Sequence, residues 1–206
     1  MIIDSHDPEV GNGMETNEIF HLAKKLVAYT NLSLFLTGKA GTGKTTFLKS
    51  CKTLPFKNIV VLAPTGVAAI NSGGTTIHSF FRLPFSPIIP PTGKDPPGDA
   101  FGVATALEKI RLNHDQKSII EQLDLIIIDE ISMVRCDVMD AIDVVLRIIR
   151  NQPGTPFGGV QMLFIGDLFQ LPPVYKEDDQ RILSRYYQGP YFFNSRVIEA
   201  NPPLYL

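Results

Sequence analysis

The stretch Gly38-Lys39-Ala40-Gly41-Thr42-Gly43-Lys44-Thr45 limits the possible folds more than any other part of the chain. It fits the pattern G-x-x-x-x-G-K-[ST]. An apolar run, Leu32 to Thr37, precedes it, and a helical pattern, Gly43 to Ser50, follows. Strand, glycine-rich turn and helix in that order make a cradle for a phosphate chain. Glycines let backbone N–H groups curl round the phosphates without side-chain clash. The helix N-terminus adds positive potential. Lys44 brings charge to the β- and γ-phosphates, and Thr45 offers a hydroxyl to Mg²⁺. The expected nucleotide-binding residues are Gly38, Ala40, Gly41, Thr42, Gly43, Lys44, Thr45 and Thr46.

The rest of the chain alternates in the same manner. Asn58 to Ala63 reads as a buried strand and Thr65 to Asn71 as a short helix. Asp124 to Asp129 reads as a third strand, Asp137 to Arg150 as an amphipathic helix, and Val160 to Ile165 as a fourth strand. In the long helix Val138, Ile142, Val145 and Ile149 share an apolar face. Asp140, Asp143, Arg147 and Arg150 share a polar one. Another helical piece begins near Tyr191, and residues 202–206 look like a strand starting. The strands are apolar throughout rather than alternating. That predicts an α/β fold with a mainly parallel sheet and helices on both faces. Proline and glycine concentrate between Leu83 and Gly102, where an insertion loop is expected.

Asp129-Glu130 ends the apolar run Leu125 to Ile128. A carboxylate at the end of a buried strand sits beside the nucleotide turn in such a fold. Asp129 is expected to hold Mg²⁺, directly or through water. Glu130 is expected to orient or activate the attacking water. These two motifs point to hydrolysis or transfer of a nucleoside triphosphate. A guanine-reading N-K-x-D motif has no counterpart, because no Asn-Lys dipeptide occurs. A small-molecule phosphotransferase and a non-catalytic nucleotide or single-stranded-DNA binding module stay open on these residues alone.

Composition narrows the setting. The 206 residues suit one large domain, and 44% hydrophobic against 19% charged is a globular balance. No apolar run approaches the roughly 20 residues of a membrane span. The N-terminus carries neither a basic region nor an apolar stretch, so no secretory signal is expected. Cys51 and Cys136 are isolated, which fits a reduced, intracellular chain without disulfides. A net charge of −2 restricts any nucleic-acid contact to a local patch.

Three further stretches carry a family resemblance. The first runs from Ala63-Pro64-Thr65-Gly66-Val67-Ala68-Ala69 to Gly74-Thr75-Thr76-Ile77-His78-Ser79-Phe80-Phe81. The second is Asp129-Glu130-Ile131-Ser132-Met133, and the third Gly166-Asp167-Leu168-Phe169-Gln170-Leu171-Pro172-Pro173-Val174. With the phosphate turn, they resemble the Pif family of superfamily-one DNA helicases, related to the RecD type. The resemblance covers roughly residues 15–206 and implies a RecA-like motor domain that uses ATP and Mg²⁺ and moves 5′ to 3′ on single-stranded DNA.

By that resemblance Gln170 senses the γ-phosphate, as a third catalytic residue beside Lys44 and Glu130. Thr65, Gly66 and Val67 touch the DNA backbone, and His78, Ser79 and Phe80 lie near the DNA path. Asn17 is the candidate adenine reader, and residues 1–14 form an extension. Arg82, Lys94 and Arg111 are the cations nearest the Pro-rich segment, which falls where the family inserts a loop near the strand-separation point. The family's second RecA-like domain, with its arginines, has no counterpart in this sequence. The resemblance therefore implies a first motor domain that binds ATP, ADP and single-stranded DNA weakly and is nearly inactive alone.

Overall fold

The computed structural model of the chain describes residues 11–39, 41–90, 101–102 and 112–206, with the side chains of 11–17 and 101–102 outside that set. Ala40, Lys94 and Arg111 fall outside it, so their expected contacts are not placed.

Helix α1 spans Gly11–Tyr29, and β1 (Leu34–Thr37) follows. The expected domain start at residue 15 therefore falls inside a helix rather than ahead of it. Next come α2 (Lys44–Cys51), β2 (Ile59–Ala63), α3 (Gly66–Ser72), β3 (Thr75–Thr76) and α4 (Ile77–Phe81). Two short strands, β4 (Ile88–Ile89) and β5 (Phe101–Gly102), pair parallel to each other. Then follow α5 (His114–Gln122), β6 (Leu125–Ile128), α6 (Cys136–Ile149) and β7 (Gln161–Gly166). The chain closes with α7 (Glu177–Leu183), α8 (Arg196–Ala200) and β8 (Leu204–Tyr205).

The main sheet has six strands in the order β3-β2-β6-β7-β1-β8, and every ladder in it is parallel. The register sets Leu34 against Leu163 and Leu204, and Leu125 against Gln161 and Ile59. Side chains alternate across the sheet, and both faces are covered. Leu125, Ile127, Leu163 and Ile165 join Phe47, Leu48 and Val27 under α1 and α2. Ile126, Ile128, Met162 and Phe164 join Ile142, Val145 and Phe192 under α6. Burial on both sides explains why these strands read as unbroken apolar runs.

The polar face of α6 is covered: Asp140 and Asp143 are only 8% and 7% exposed. Asp140 accepts from the N–H groups of Val197 and Arg196 and from the Tyr187 hydroxyl. Asp143 accepts from the Phe157 N–H at 2.6 Å and pairs with Arg147. These carboxylates are buried because they replace water with fixed donors from segments packed over the helix. The Pro-rich segment is likewise no free loop at its start. Leu83, Ile88 and Ile89 are buried, and Ile88 donates its N–H to the buried Asp137 carboxylate at 2.9 Å.

The short helices are fixed by their caps. Thr65 accepts the Ala68 N–H at the start of α3, and Thr76 accepts the Ser79 N–H at the start of α4. Gly73 ends α3 in the left-handed region, and its carbonyl accepts from Lys52 Nζ. Among the described residues no helix is long and apolar enough to cross a membrane.

Candidate nucleotide and nucleic-acid site

Parallel strands end on one side, so whatever follows β1, β6 and β7 meets at one edge of the sheet. The phosphate-type turn follows β1, Asp129-Glu130 follows β6, and Asp167 to Gln170 follows β7. Between β1 and β6 lies only β7, so the three segments are neighbours.

In the turn, Gly43 adopts φ 91° at the cap of α2, a conformation that a side chain would strain. Lys44 folds back along the loop: its Nζ donates to the carbonyls of Gly38 and Lys39. Thr42 also closes onto the Lys39 carbonyl, at 2.9 Å. Thr45 and Thr46 are exposed on the first turn of α2, and neither hydroxyl is hydrogen-bonded to another described residue.

Beside the turn is a 180 Å³ cavity lined by Gly38, Thr42, Gly43 and Lys44. Its apolar walls include Ile19, Phe20, Phe47 and Leu206. Phe20 meets Phe47 edge-on at 5.1 Å. Sequence reading names Gly38, Thr42, Gly43 and Lys44 here and Asn17 for the base, but none of the apolar walls. Asn17 lies within α1, not at its cap, and its side chain is outside the described set. The apolar walls were not legible because Ile19 and Leu206 are far apart in the chain and come to one cavity only in the fold.

Asp129 and Glu130 stand at the end of β6. Burial raises the pKa of Asp129, opposed by the Glu130 N–H that donates to its Oδ1 and by the charge of Lys44. Burial raises that of Glu130 too, and Asp129 and Asp167 add repulsion against the attraction of Lys44. Lys44, Asp129, Glu130 and Asp167 therefore share one electrostatic neighbourhood. Glu130 sits at φ 52°, in the left-handed region, which costs a non-glycine residue on the order of 1–2 kcal/mol. That bend starts the tight turn Ile131–Met133. Gly166 leaves room for it: a Cβ there would lie 3.0 Å from the Ile131 nitrogen. The ends of β6 and β7 are thus in direct contact.

Gln170 is exposed, but its amide is not free. Its Nε2 donates to Asp167 Oδ2 at 3.1 Å, and Asp167 Oδ1 accepts the Phe169 N–H. Asp167 orients the glutamine. Phe169 next to it is 99% exposed, with Leu171 and Val174 also exposed.

The expected DNA-facing residues lie beyond β2 and β3. Thr65, Gly66 and Val67 form the start of α3, and Val67 is exposed. His78 and Ser79 lie on α4, where Ser79 is exposed and His78 is half-buried. Phe80 packs against the core and edge-on against Phe81, itself fully buried. The exposed ring beside His78 is Phe85, stacked on it at 4.7 Å and 17°. Burial lowers the pKa of His78, with Arg135 reinforcing and Asp137 opposing. Phe85 was missed because a phenylalanine in a Pro-rich segment carries no local sign of its stacking partner.

A divalent cation suits this donor set. Asp129 and Glu130 are half-buried carboxylates with Lys44 as their cationic neighbour, and Thr45, next to Lys44 in the chain, is exposed. Mg²⁺ on a nucleotide typically takes one or two protein groups, the rest being phosphate and water oxygens. Fewer than three clustered protein ligands among the described residues is therefore consistent with it.

The chain is similar to known proteins over most of its length. The family model of the PIF1-like helicases matches residues 13–187. The ATP-dependent DNA helicase PIF1 of Homo sapiens is 39% identical over 147 residues, covering 70% of this chain and 20% of that protein. PIF1 of Emericella nidulans is 38% identical over 157 residues, covering 73% of this chain and 19% of that protein. Among solved structures, Bacteroides Pif1 bound to single-stranded DNA superposes with a TM-score of 0.76 at 40% identity. Bacteroides Pif1 with ADP-AlF3 and single-stranded DNA gives 0.77, also at 40% identity. Each of these two superpositions covers 98% of this chain and 42% of the other. The chain thus spans about a fifth of the curated relatives and under half of the solved chains. On the family match and these identities, the chain belongs to the PIF1-like helicase family.

Proposed function

We propose that this chain is the nucleotide-binding half of an ATP-dependent DNA helicase that moves 5′ to 3′ along single-stranded DNA, working with a second RecA-like domain. The observation that carries the reading is the meeting of Lys44, Asp129, Glu130 and the Asp167–Gln170 pair at one sheet edge. The direction of travel rests on the family resemblance alone. The relatives named above are ATP-dependent DNA helicases, and one solved relative is bound to ADP-AlF3 and single-stranded DNA.

The turn receives the phosphates, and Lys44 exchanges the Gly38 and Lys39 carbonyls for phosphate oxygens. The base enters the apolar cavity between Ile19, Phe20 and Leu206; Asn17, on the same helix, is the proposed adenine reader. Thr45 and Asp129 would hold Mg²⁺, which would supply charge neutralisation at the phosphates. Glu130, its carboxyl basicity raised by burial, takes a proton from the attacking water. Gln170, oriented by Asp167, reads the γ-phosphate with an amide that can donate or accept. Thr65, Gly66, Val67, His78 and Ser79 face the strand. The Thr65 hydroxyl accepts from Ala68 and keeps its own proton for a phosphate oxygen.

Titration with a fluorescent ATP analogue and Mg²⁺ tests the reading. The 206-residue chain is expected to bind saturably, and Lys44→Ala to weaken binding at least tenfold, about 1.4 kcal/mol. Binding that is absent, or indifferent to Lys44→Ala, would refute it.

A further inference from the structure

A 380 Å³ cavity lies between α4 and the chain that follows Gln170. It is separate from the cavity beside the phosphate turn: no residue lines both. His78 and Phe85 line it, and so do Thr65, Arg135, Tyr175 and Lys176. Its volume is within the range of about 300–1,000 Å³ found for small-ligand pockets.

Three features of the cavity point the same way. The first is an aromatic surface. His78 and Phe85 stack on each other, and Phe85 is 80% exposed, so a second flat group can continue the stack. The second is a held donor. Arg135 gives Nε and Nη2 to the buried Asp137 at 2.8 and 2.7 Å. Its Nη1 has only long contacts, 3.3 Å to the Phe85 carbonyl and 3.9 Å to Asp179. The guanidinium is thereby fixed in orientation while Nη1 can still donate. The third is continuity with Thr65, the residue assigned above to the DNA backbone. One nucleotide could meet Thr65 with its phosphate and this cavity with its base.

We propose that the cavity takes one unstacked nucleobase of the bound single strand, with Phe85 packed on its face and Arg135 donating to its edge. This rests on the single-strand reading above. Every nucleobase presents a carbonyl or ring-nitrogen acceptor, and every base has a stacking face, so the site is sequence-tolerant. Lys176 at the same cavity adds a cation without fixing a base identity.

The test uses the 206-residue chain at low ionic strength with labelled oligothymidylate, read by fluorescence anisotropy. A single abasic position is moved along the oligonucleotide. One position is expected to lose roughly tenfold in affinity, the scale of one stacked base. Phe85→Ala should weaken the intact strand by a similar factor and erase the abasic penalty, while Phe85→Tyr restores it. Phe85 is mostly exposed, so an unchanged melting curve serves as the folding control. A flat abasic scan on a strand that does bind overturns the base pocket and leaves the single-strand reading standing. Penalties from Phe85→Ala and the abasic site that simply add also overturn the pocket. Failure to bind any oligonucleotide sinks both.

Discussion

Replacing Asp137 with alanine strips a buried guanidinium of its main partner. Asp137 is fully buried, and the Arg135 side chain is 9% exposed. Burial alone discourages the Arg135 charge. The Asp137 hydrogen bonds and charge, with help from Asp179, outweigh this and hold its pKa above the ordinary arginine value. In Asp137→Ala the guanidinium keeps only the Phe85 carbonyl and a 3.9 Å approach to Asp179. Breaking a buried pair from one side costs about 3–5 kcal/mol, with little screening to discount at this depth. The Ile88 N–H also loses its acceptor, within the same range of cost. A loss of about 4 kcal/mol lowers the melting midpoint by about 8–16 °C in a chain of this size. Urea unfolding followed by circular dichroism measures it, with the slope checked for constancy. Arg135→Met combined with Asp137→Ala removes both charges and is expected to recover more than half of the loss. A single-variant loss under about 1 kcal/mol, or a double variant no better than the single, refutes the reasoning.

Gly74→Ala is expected to destabilise by about 2 kcal/mol or more in the same assay, because its Cβ would lie 2.2 Å from the Val61 carbonyl oxygen in β2. Lys57→Met should cost about 1–3 kcal/mol, since Lys57 Nζ caps the Val27 and Thr30 carbonyls and satisfies the buried Gln161 amide oxygen; a neutral result by urea unfolding would count against the cap. His78 has a folded pKa below its unfolded value of 6.5, so the stability it contributes is present above that pH and lost as pH falls. His78→Gln should therefore flatten the fall in melting midpoint on acidification through about pH 6.5, and an unchanged slope would exclude the assignment. In a protein that also carries the second RecA-like domain, Glu130→Gln is expected to keep nucleotide affinity while slowing single-turnover phosphate release about a hundredfold or more, and equal loss of both would move Glu130 from chemistry to binding.

What the sequence made legible was local or repetitive. The phosphate turn, its strand and its helix are contiguous, and β2, β6 and β7 announce themselves as apolar runs of the right length. The burial of the α6 carboxylates was not legible because their donors come from elsewhere. Asp140 is satisfied by Val197, 57 residues on, and Asp143 by Phe157, 14 residues on. A helical wheel sees only the helix and assigns every charge to water. Helix α4 escaped notice for a different reason. Five residues capped by Thr76 carry too little periodicity to register, and the helix shows itself by its cap alone. Phe80 and Phe85 are interchangeable to a reader of composition, yet packing sends one toward the core and the other to the surface.

The segment from Asp129 to Arg135 ties these regions together. Its first residues carry the carboxylates that face Lys44. Ile131 and Ser132 are fully buried, so the turn moves as a unit with its neighbours rather than flexing alone. Gly166 presses the start of the Asp167–Gln170 segment against that turn. Arg135 at its far end holds the Phe85 carbonyl and approaches Asp179, nine residues past Gln170. The Phe85 segment and the chain leading into Asp167–Gln170 thus meet the same seven-residue stretch from opposite ends. A shift of Glu130 when a γ-phosphate arrives or leaves would be conveyed to the wall of the 380 Å³ cavity without a flexible link in between. The physical requirement is that Arg135 and Asp137 stay paired. Loosening them should therefore weaken the dependence of oligonucleotide affinity on bound nucleotide more than either affinity alone. Equal nucleotide dependence in Arg135→Lys and in the unaltered chain would show that the signal takes another route.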